Sequence, residues 1–279
     1  MSLPASPCAL RSSAVCILDR QSRSNMSSVS SSGGQVITTG GLSIMQDSWL
    51  SEVMSREVHR VSGALAEKDE AQAERAVQQV TNRPGFSYAR VPTDDARTIR
   101  LLERCGFHLV DTGVTLEMAG FSVAAAGNGR ARLAHPEDRA AVENIARCSF
   151  AYSRFHLDPD IPRSLADDIK AQWAGNFFLG KRGDQMVVAE QGGDIVGFTQ
   201  LLKVSGDTLV IDLIAVSHTS RGQGVAQEMI RFSSSAFDHM RVMRVGTQIA
   251  NTVSLRVYQD MGFRVVSSGY VFHHHHIRS

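Results

Sequence analysis

Residues Val210 to Ala226 read V-I-D-L-I-A-V-S-H-T-S-R-G-Q-G-V-A. The first seven are an aliphatic, largely β-branched run of strand length. The polar turn after them holds Gly222 and Gly224, and helical spacing begins at about Val225. The stretch is a strand, a glycine loop and the start of a helix. A helix that opens after such a turn presents N–H groups with no intrahelical acceptor and the positive end of its dipole, a combination that suits a pyrophosphate. Gly222 and Gly224 let the main chain approach a ligand because neither carries a Cβ, and the small Ala226 keeps the first turn clear. An ordinary strand-to-helix turn has the same outline, so the glycine pair alone leaves the ligand open. The dinucleotide fingerprint does not fit, because a third glycine and a later acidic residue are missing.

Downstream, the chain reads as a strand over Val242 to Ile249, a helix over Thr252 to Asp260 and a strand over Phe263 to His273. Asn251, Leu255 and Tyr258 are spaced by four and three, so an amide and a phenol share one face near the helix start. A tyrosine in that position equally fits a half-buried core residue. Taken together, Arg221-x-x-Gly224-x-Ala226 after an apolar strand and Asn251-x-x-x-Leu255-x-x-Tyr258 on the following helix resemble the signature of the GNAT superfamily of N-acetyltransferases. The resemblance implies an α/β (α+β) fold with a mixed central sheet flanked by helices, and acetyl-CoA as cosubstrate. It places the cofactor on Ile214, Val216, Arg221, Gly222, Gly224, Val225, Ala226 and Asn251, with Asn251 on the pantetheine arm and Tyr258 donating a proton to the departing thiolate. It also implies that the strands Leu209 to Val216 and Val242 to Ile249 splay, freeing backbone groups around Ile214 and Val216 for pantetheine. The chemistry asks for the same parts: a held thioester, a polarised carbonyl and a donor for the leaving sulfur. A phenol with reference pKa of about 10 is protonated at neutral pH. The base is open between Asp212, expected on the strand face of Ile214 and Val216, Glu190 and His156.

The rest of the chain divides by composition. Residues 1–41 are Ser-rich and end in two glycine pairs, too polar to offset their ordering entropy, and are expected to be a disordered tail. Arg11, Arg20 and Arg23 against Asp19 mimic a transit peptide, with initiation at Met45 as the alternative. Residues 42–118 form a compact segment: a helix from Glu70 to Val80, a strand from Phe86 to Val91, a helix from Thr98 to Arg104 and a strand from Phe107 to Glu117. Residues 119–129 are the expected linker, and 130–279 the catalytic domain, with a hairpin made by Met186 to Glu190 and Ile195 to Lys203. An offset of 156 residues, which lays Leu102 on Tyr258, also lays Arg100, Gly106, Phe107, Val110 and Gly113 on Arg256, Gly262, Phe263, Val266 and Gly269. The segment 42–118 is therefore read as a degenerate copy of the GNAT-like unit. It has Asp95 where Asn251 stands, and no glycine loop.

The stretch Tyr152-Ser-Arg-Phe-His-Leu-Asp-Pro159 lies between the first two helices of the second copy. In GNAT domains that segment covers the acceptor site, and S-R-F-H-x-D-P together with a degenerate N-terminal half is similar to the dTDP-fucosamine N-acetyltransferase group. The implied acceptor is the amine of a nucleotide-linked amino-deoxy sugar, attacking directly in a ternary complex. Arg154, His156 and Asp158 are the expected substrate contacts, Arg154 through bidentate bonds to phosphate. Another small amine, such as an amino acid, polyamine or aminoglycoside, is the alternative within the enzyme class, and a non-catalytic acyl-CoA-binding regulator the alternative outside it.

Bulk properties narrow the class further. The 279 residues carry a net charge of +1, with 43% hydrophobic and 20% charged residues, which gives no footing for a nucleic-acid surface. No apolar run approaches the roughly 18 residues of a membrane span. Cys8, Cys16, Cys105 and Cys148 have no metal-ligand spacing and read as free thiols of a cytoplasmic protein. His273 to His276 would alternate faces in a strand and so cannot converge on one ion; no metal is expected. An exposed terminal strand would allow a homodimer.

Overall fold

The computed structural model describes residues 36–66, 68–120, 129–204, 206–237 and 240–276. The N-terminal half runs β1 (Ile37–Thr39), β2 (Leu42–Gln46), α1 (Ser48–Met54), β3 (Val58–Gly63), α2 (Glu70–Thr81), β4 (Gly85–Pro92), α3 (Ala96–Arg104) and β5 (His108–Ala119). The C-terminal half runs β6 (Ala131–Leu133), α4 (Arg139–Ser149), α5 (Arg163–Gly175), β7 (Gln185–Gln191), β8 (Asp194–Val204), β9 (Thr208–Val216), α6 (Val225–Ala236), β10 (Val242–Gln248), α7 (Thr252–Asp260) and β11 (Arg264–His276).

The repeat is visible in how its helices begin. The Asp95 carboxylate accepts the Thr98 N–H at 3.0 Å, and the Asn251 side-chain carbonyl accepts the Ser254 N–H at 3.3 Å. Each side chain thus satisfies one of the unpaired donors of a helix start, and the two helices, α3 and α7, are each nine residues long and begin and end 156 residues apart. The parallel strand pairs before them also correspond. β3 meets β4 over four residues, Val58 opposite Phe86 to Val61 opposite Ala89, and β9 meets β10 over four, Thr208 opposite Val242 to Ile211 opposite Val245.

The two copies are not independent layers. The eleven strands form one mixed sheet in the order β1-β2-β3-β4-β11-β5-β10-β9-β8-β7-β6. The last strand of each half has crossed into the other, so β11 lies between β4 and β5 and is antiparallel to both. β5 in turn pairs with β10 from Gly113 opposite Gln248 to Ala119 opposite Val242. The cores follow this exchange. Val114 and Leu116 of β5 pack with Met229, Met243, Val245 and Tyr258, Phe272 of β11 packs with Leu101 and Leu102, and Phe86 and Tyr88 pack with Phe155 and Ile169.

Several expectations need adjusting. Of the tail 1–41, residues 1–35 lie outside the described residues, and Ile37–Thr39 already belongs to the sheet as β1. Met45 lies inside β2, so initiation there would remove β1 together with Leu42 and Ile44, both core residues. Residues 121–128 of the expected linker are outside the described residues. The terminal strand β11 is central to the sheet, with a partner on each side, and offers no free edge to a second copy.

Because each half needs the other's last strand, a fragment comprising residues 129–279 would carry β11 with neither of its partners. Expressed alone, it is expected to show no cooperative thermal transition by circular dichroism, while co-expression with residues 36–120 restores one. A cooperative melt of the isolated fragment at the full-length temperature would disprove the shared core.

Candidate active site

The pairing of β9 with β10 stops at Ile211 and Val245 although β9 continues to Val216 and β10 to Gln248. The cause lies on the other side of β9. In its ladder with β8, Gln200 faces Leu213 and Leu201 faces Ile211, so Asp212 is the extra residue of a β-bulge. A bulge bends its strand and raises the local twist, and here it carries the end of β9 away from β10. The facing edges from Leu213 to Val216 and from Gly246 to Gln248 are left without a strand partner. Backbone groups in that position require hydrogen-bonding partners, and an edge of this kind can take an extended, amide-bearing ligand.

The glycine loop sits at the mouth of this gap. Gly222 and Gly224 have φ of 74° and 75°, the left-handed region that side chains disfavour. Gly224 is the N-cap of α6 and offers no side-chain cap, so the first-turn N–H groups of Val225 and Ala226 stay available to an anion. Arg221 does not reach into this anion site. Its guanidinium donates to the carbonyls of Val216 (3.2 Å) and Ser149 (3.0 Å), pinning the loop to the end of β9 and to α4. Arg130 holds the other side, donating to the buried Glu228 carboxylate at 2.8 Å and to the Gln223 carbonyl at 3.2 Å. Gly197 lets α6 come close: a Cβ there would meet the Met229 methyl at 3.1 Å and the Val225 side chain at 3.3 Å.

Tyr258 projects from α7 into the core beside Val245, with its ring 5.5 Å from Phe263. It is 4% exposed, and burial pushes its phenol above the ordinary value. A phenol so placed stays protonated at neutral pH and can donate a hydrogen bond to an anion beside it. Asn251 spends its carbonyl on the helix cap and keeps its amide N–H groups for a ligand.

Residues 140–263 match the acetyltransferase (GNAT) family. They form a GNAT acetyltransferase domain. The chain is 28% identical to the spore coat polysaccharide biosynthesis protein SpsD of Bacillus subtilis over 244 residues, covering 84% of this chain and 83% of that protein. It is 27% identical to a dTDP-fucosamine acetyltransferase of Escherichia coli over 183 residues, covering 65% of this chain and 78% of the relative. A GCN5-related N-acetyltransferase from Kribbella flavida shares the fold, with a TM-score of 0.58 at 13% identity over 87% of this chain and 90% of the other. The GNAT domain is that of an N-acetyltransferase with acetyl-CoA as cosubstrate.

On the face of the GNAT sheet opposite α6, the bulge redirects Asp212. Ile214 and Val216 pack in the cluster around α6, whereas the Asp212 carboxylate turns to α5, where it accepts the Trp173 indole N–H at 2.9 Å. Arg182 donates to both of its oxygens, at 2.7 and 2.6 Å, and Gln200 adds a further donor at 3.1 Å. The expectation that Asp212 shares a face with Ile214 and Val216 is therefore corrected. A carboxylate committed to four donors is also poorly placed to act as a base. Glu190 is likewise engaged, by Arg132 at 3.1 Å.

The loop residues are less exposed than their composition suggests. Arg154 is 7% exposed, with its guanidinium 3.8 Å from the Tyr88 ring centre and 4.2 Å from that of Phe155, so the expected bidentate phosphate contact has no open guanidinium to use. His156 is fixed on both nitrogens, by Ser153 at 2.6 Å and Asp167 at 2.9 Å, and burial holds its imidazole below the usual range. Asp158, also buried, meets His273 Nδ1 at 2.5 Å and His275 Nε2 at 2.7 Å. Arg154 can only donate, so its 3.3 Å contact makes His273 Nε2 an acceptor and places that ring's proton on Nδ1, toward Asp158. Burial alone would raise the Asp158 carboxyl, but the two histidine bonds outweigh it and hold the group well below the carboxylate range. Arg154 holds the loop against Tyr88 of the N-terminal half, Asp158 ties it to β11, and His156 ties it to α5.

Lys170 escaped the sequence reading. It sits on α5 among apolar residues, 8% exposed, with Nζ 4.8 Å from the Phe150 ring and 4.9 Å from Trp173. Burial pushes its ammonium down to about 7, opposed by the Asp212 charge and reinforced by Arg154, Arg90 and Arg182. In sequence it is one polar residue on an amphipathic helix, and nothing marks it as buried. Between about pH 7 and the unfolded value of about 10.4 the unfolded chain binds a proton that the native chain does not. Stability is therefore expected to rise with pH across that window, by about 1.4 kcal/mol per unit at most. Urea titrations of wild type and Lys170→Met at about pH 7 and about pH 9 check this; the slope attributable to Lys170 vanishes in the variant.

Proposed function

We propose that the protein transfers acetyl from acetyl-CoA to the amine of a nucleotide-linked amino-deoxy sugar by direct attack in a ternary complex. The observation that supports the donor half is the bulge-driven gap between β9 and β10 ending at the uncapped N-terminus of α6. The pyrophosphate is assigned to the N–H groups following Gly222 and Gly224, and pantetheine to the free edge at Ile214 and Val216, with the Asn251 amide beside it. The amine attacks the thioester carbonyl, the tetrahedral intermediate collapses, and Tyr258 gives its proton to the departing sulfur. The acceptor half is supported by likeness to two proteins whose names refer to a polysaccharide and to dTDP-fucosamine.

The acceptor is assigned to the sheet face carrying Asp212, under the loop 151–162. With Arg154 buried, the exposed guanidinium on β4, Arg90, is the better group for a nucleotide phosphate. Lys170 replaces Asp212 as the proton acceptor, since burial brings its ammonium down to about 7 and the Asp212 carboxylate is taken up by four donors.

Tyr258→Phe is expected to lower kcat by about 10²- to 10⁴-fold with little change in acetyl-CoA affinity, read as thiol release and by calorimetry. Equal rates for variant and wild type would remove Tyr258 from the reaction, and negligible release by both across an amine panel would favour a non-catalytic acyl-CoA-binding protein. The acceptor is tested by thermal shift with acetyl-CoA present: dTDP- or UDP-amino sugars are expected to raise the melting temperature. Stabilisation by polyamines or free amino acids instead would assign another small amine.

A further inference from the structure

The four-histidine run of β11 divides between the sheet faces, as strand alternation requires. His274 packs beside Phe107, 5.5 Å between ring centres, and His276 Nδ1 donates to the Thr81 carbonyl at 3.0 Å. His273 and His275 turn to the opposite face and meet Asp158. The strand exchange brings a further imidazole there: His108, the first residue of β5, lies 6.0 Å from His275 between ring centres, with the planes 22° apart. The loop between α4 and α5 adds Asp160, whose N–H donates to Asp158 Oδ1 at 2.9 Å. One ligand atom each from His108, Asp158, Asp160 and His275 lie within 4.8 Å of one another.

We propose that His108, Asp158, Asp160 and His275 bind a divalent transition-metal ion of the zinc type. Two imidazole nitrogens and two carboxylate oxygens are a borderline-soft set that suits zinc, cobalt or nickel, whereas calcium and magnesium favour oxygen alone. Arg56 faces the same two carboxylates, so an incoming ion competes with a guanidinium, which again selects strong nitrogen-and-oxygen chelation. Two of the ligands are built in advance. Asp158 and His275 have side chains 0% and 3% exposed, and His273, itself oriented by Arg154, supplies the outer-shell hydrogen bond that fixes Asp158. The second imidazole is incomplete as it stands: His275 Nδ1 is buried and has no hydrogen-bond partner among the described residues. Phe86, 4.8 Å from the His275 ring, forms an apolar wall, while His108 and Asp160 are exposed and give the ion a way in. Bound there, the ion ties the acceptor-side loop to the ends of β5 and β11, and so joins the two halves.

The test uses the full chain freed of metal by chelation and titrated with cobalt(II), with zinc as competitor. Binding of one cobalt per chain with the visible absorption of a low-coordinate ion is expected, reversed by zinc. His108→Ala and Asp160→Asn, both at exposed positions, are each expected to weaken binding by about 10-fold or more, with the circular dichroism melt confirming the fold. His274→Ala, on the other face, leaves it unchanged. No stoichiometric binding, binding that survives either ligand variant undiminished, or binding lost in His274→Ala overturns the proposal. None of these readouts depends on acetyl transfer.

Discussion

The structure depends on the exchange of β5 and β11. A strand in the middle of a sheet satisfies its backbone groups on two edges, and each of these strands takes both of its edges from strands of the other half of the chain. Neither half can close its own ladder, so the hydrogen bonding that makes each copy a sheet also makes the two copies one sheet. The side chains reinforce this arrangement. Phe272 enters the core of the first copy while Val114 and Leu116 enter that of the second, so losing the last strand of one half would open the core of the other. The N-terminal half is therefore held by structural need, whatever chemistry it carries.

Within that frame, one inserted residue sets the site. The bulge at Asp212 ends the pairing of β9 with β10, which opens a gap between the two strands, and it also turns the carboxylate toward Trp173 and Arg182. A regular strand could do neither: its ladder would stay closed, and Asp212 would stand on the same face as Val210, Ile214 and Val216. The gap on one edge of β9 and the turned carboxylate on its face thus share one cause. The groups around that carboxylate are then set by burial. Trp173, Arg182 and Gln200 neutralise and hold Asp212, and Lys170, left among aromatic rings, loses much of its affinity for a proton.

Much of this was legible in the amino-acid order. The helix Thr252–Asp260, the hairpin of β7 and β8 and the glycine loop were written in periodicity and turn residues, and the 156-residue offset carried over to helix boundaries and caps. What escaped has physical reasons. β3, Val58-His-Arg-Val-Ser-Gly63, buries only Val58 and Val61, three apart, so it lacks the alternation of a strand. β11 runs three residues past His273 because its histidines form a ladder with β4 that no apolar pattern announces. Asp212 was assigned the wrong face because alternation counts residues, and a bulge adds one. Arg154 and His156 are expected from the sequence to be open to a substrate because a loop is ordinarily wet; here Tyr88 and Phe86, about 70 residues upstream, roof it over.

The fate of the first copy follows from comparing equivalent positions. Leu102 and Tyr258 occupy the same place, and both are buried, at 0% and 4% exposure. The packing role at this position needs no hydroxyl. Asp95 caps its helix as Asn251 does, yet a carboxylate has no N–H to offer a ligand, and one of its oxygens is buried without a partner. At the start of α2, where the second copy has Gly224 and bare amides, the first has Glu70 paired with Arg104. A negative side chain at a helix N-terminus already meets the dipole that a pyrophosphate would need. Each substitution keeps the fold's requirement at its position while changing the polar groups that the position presents.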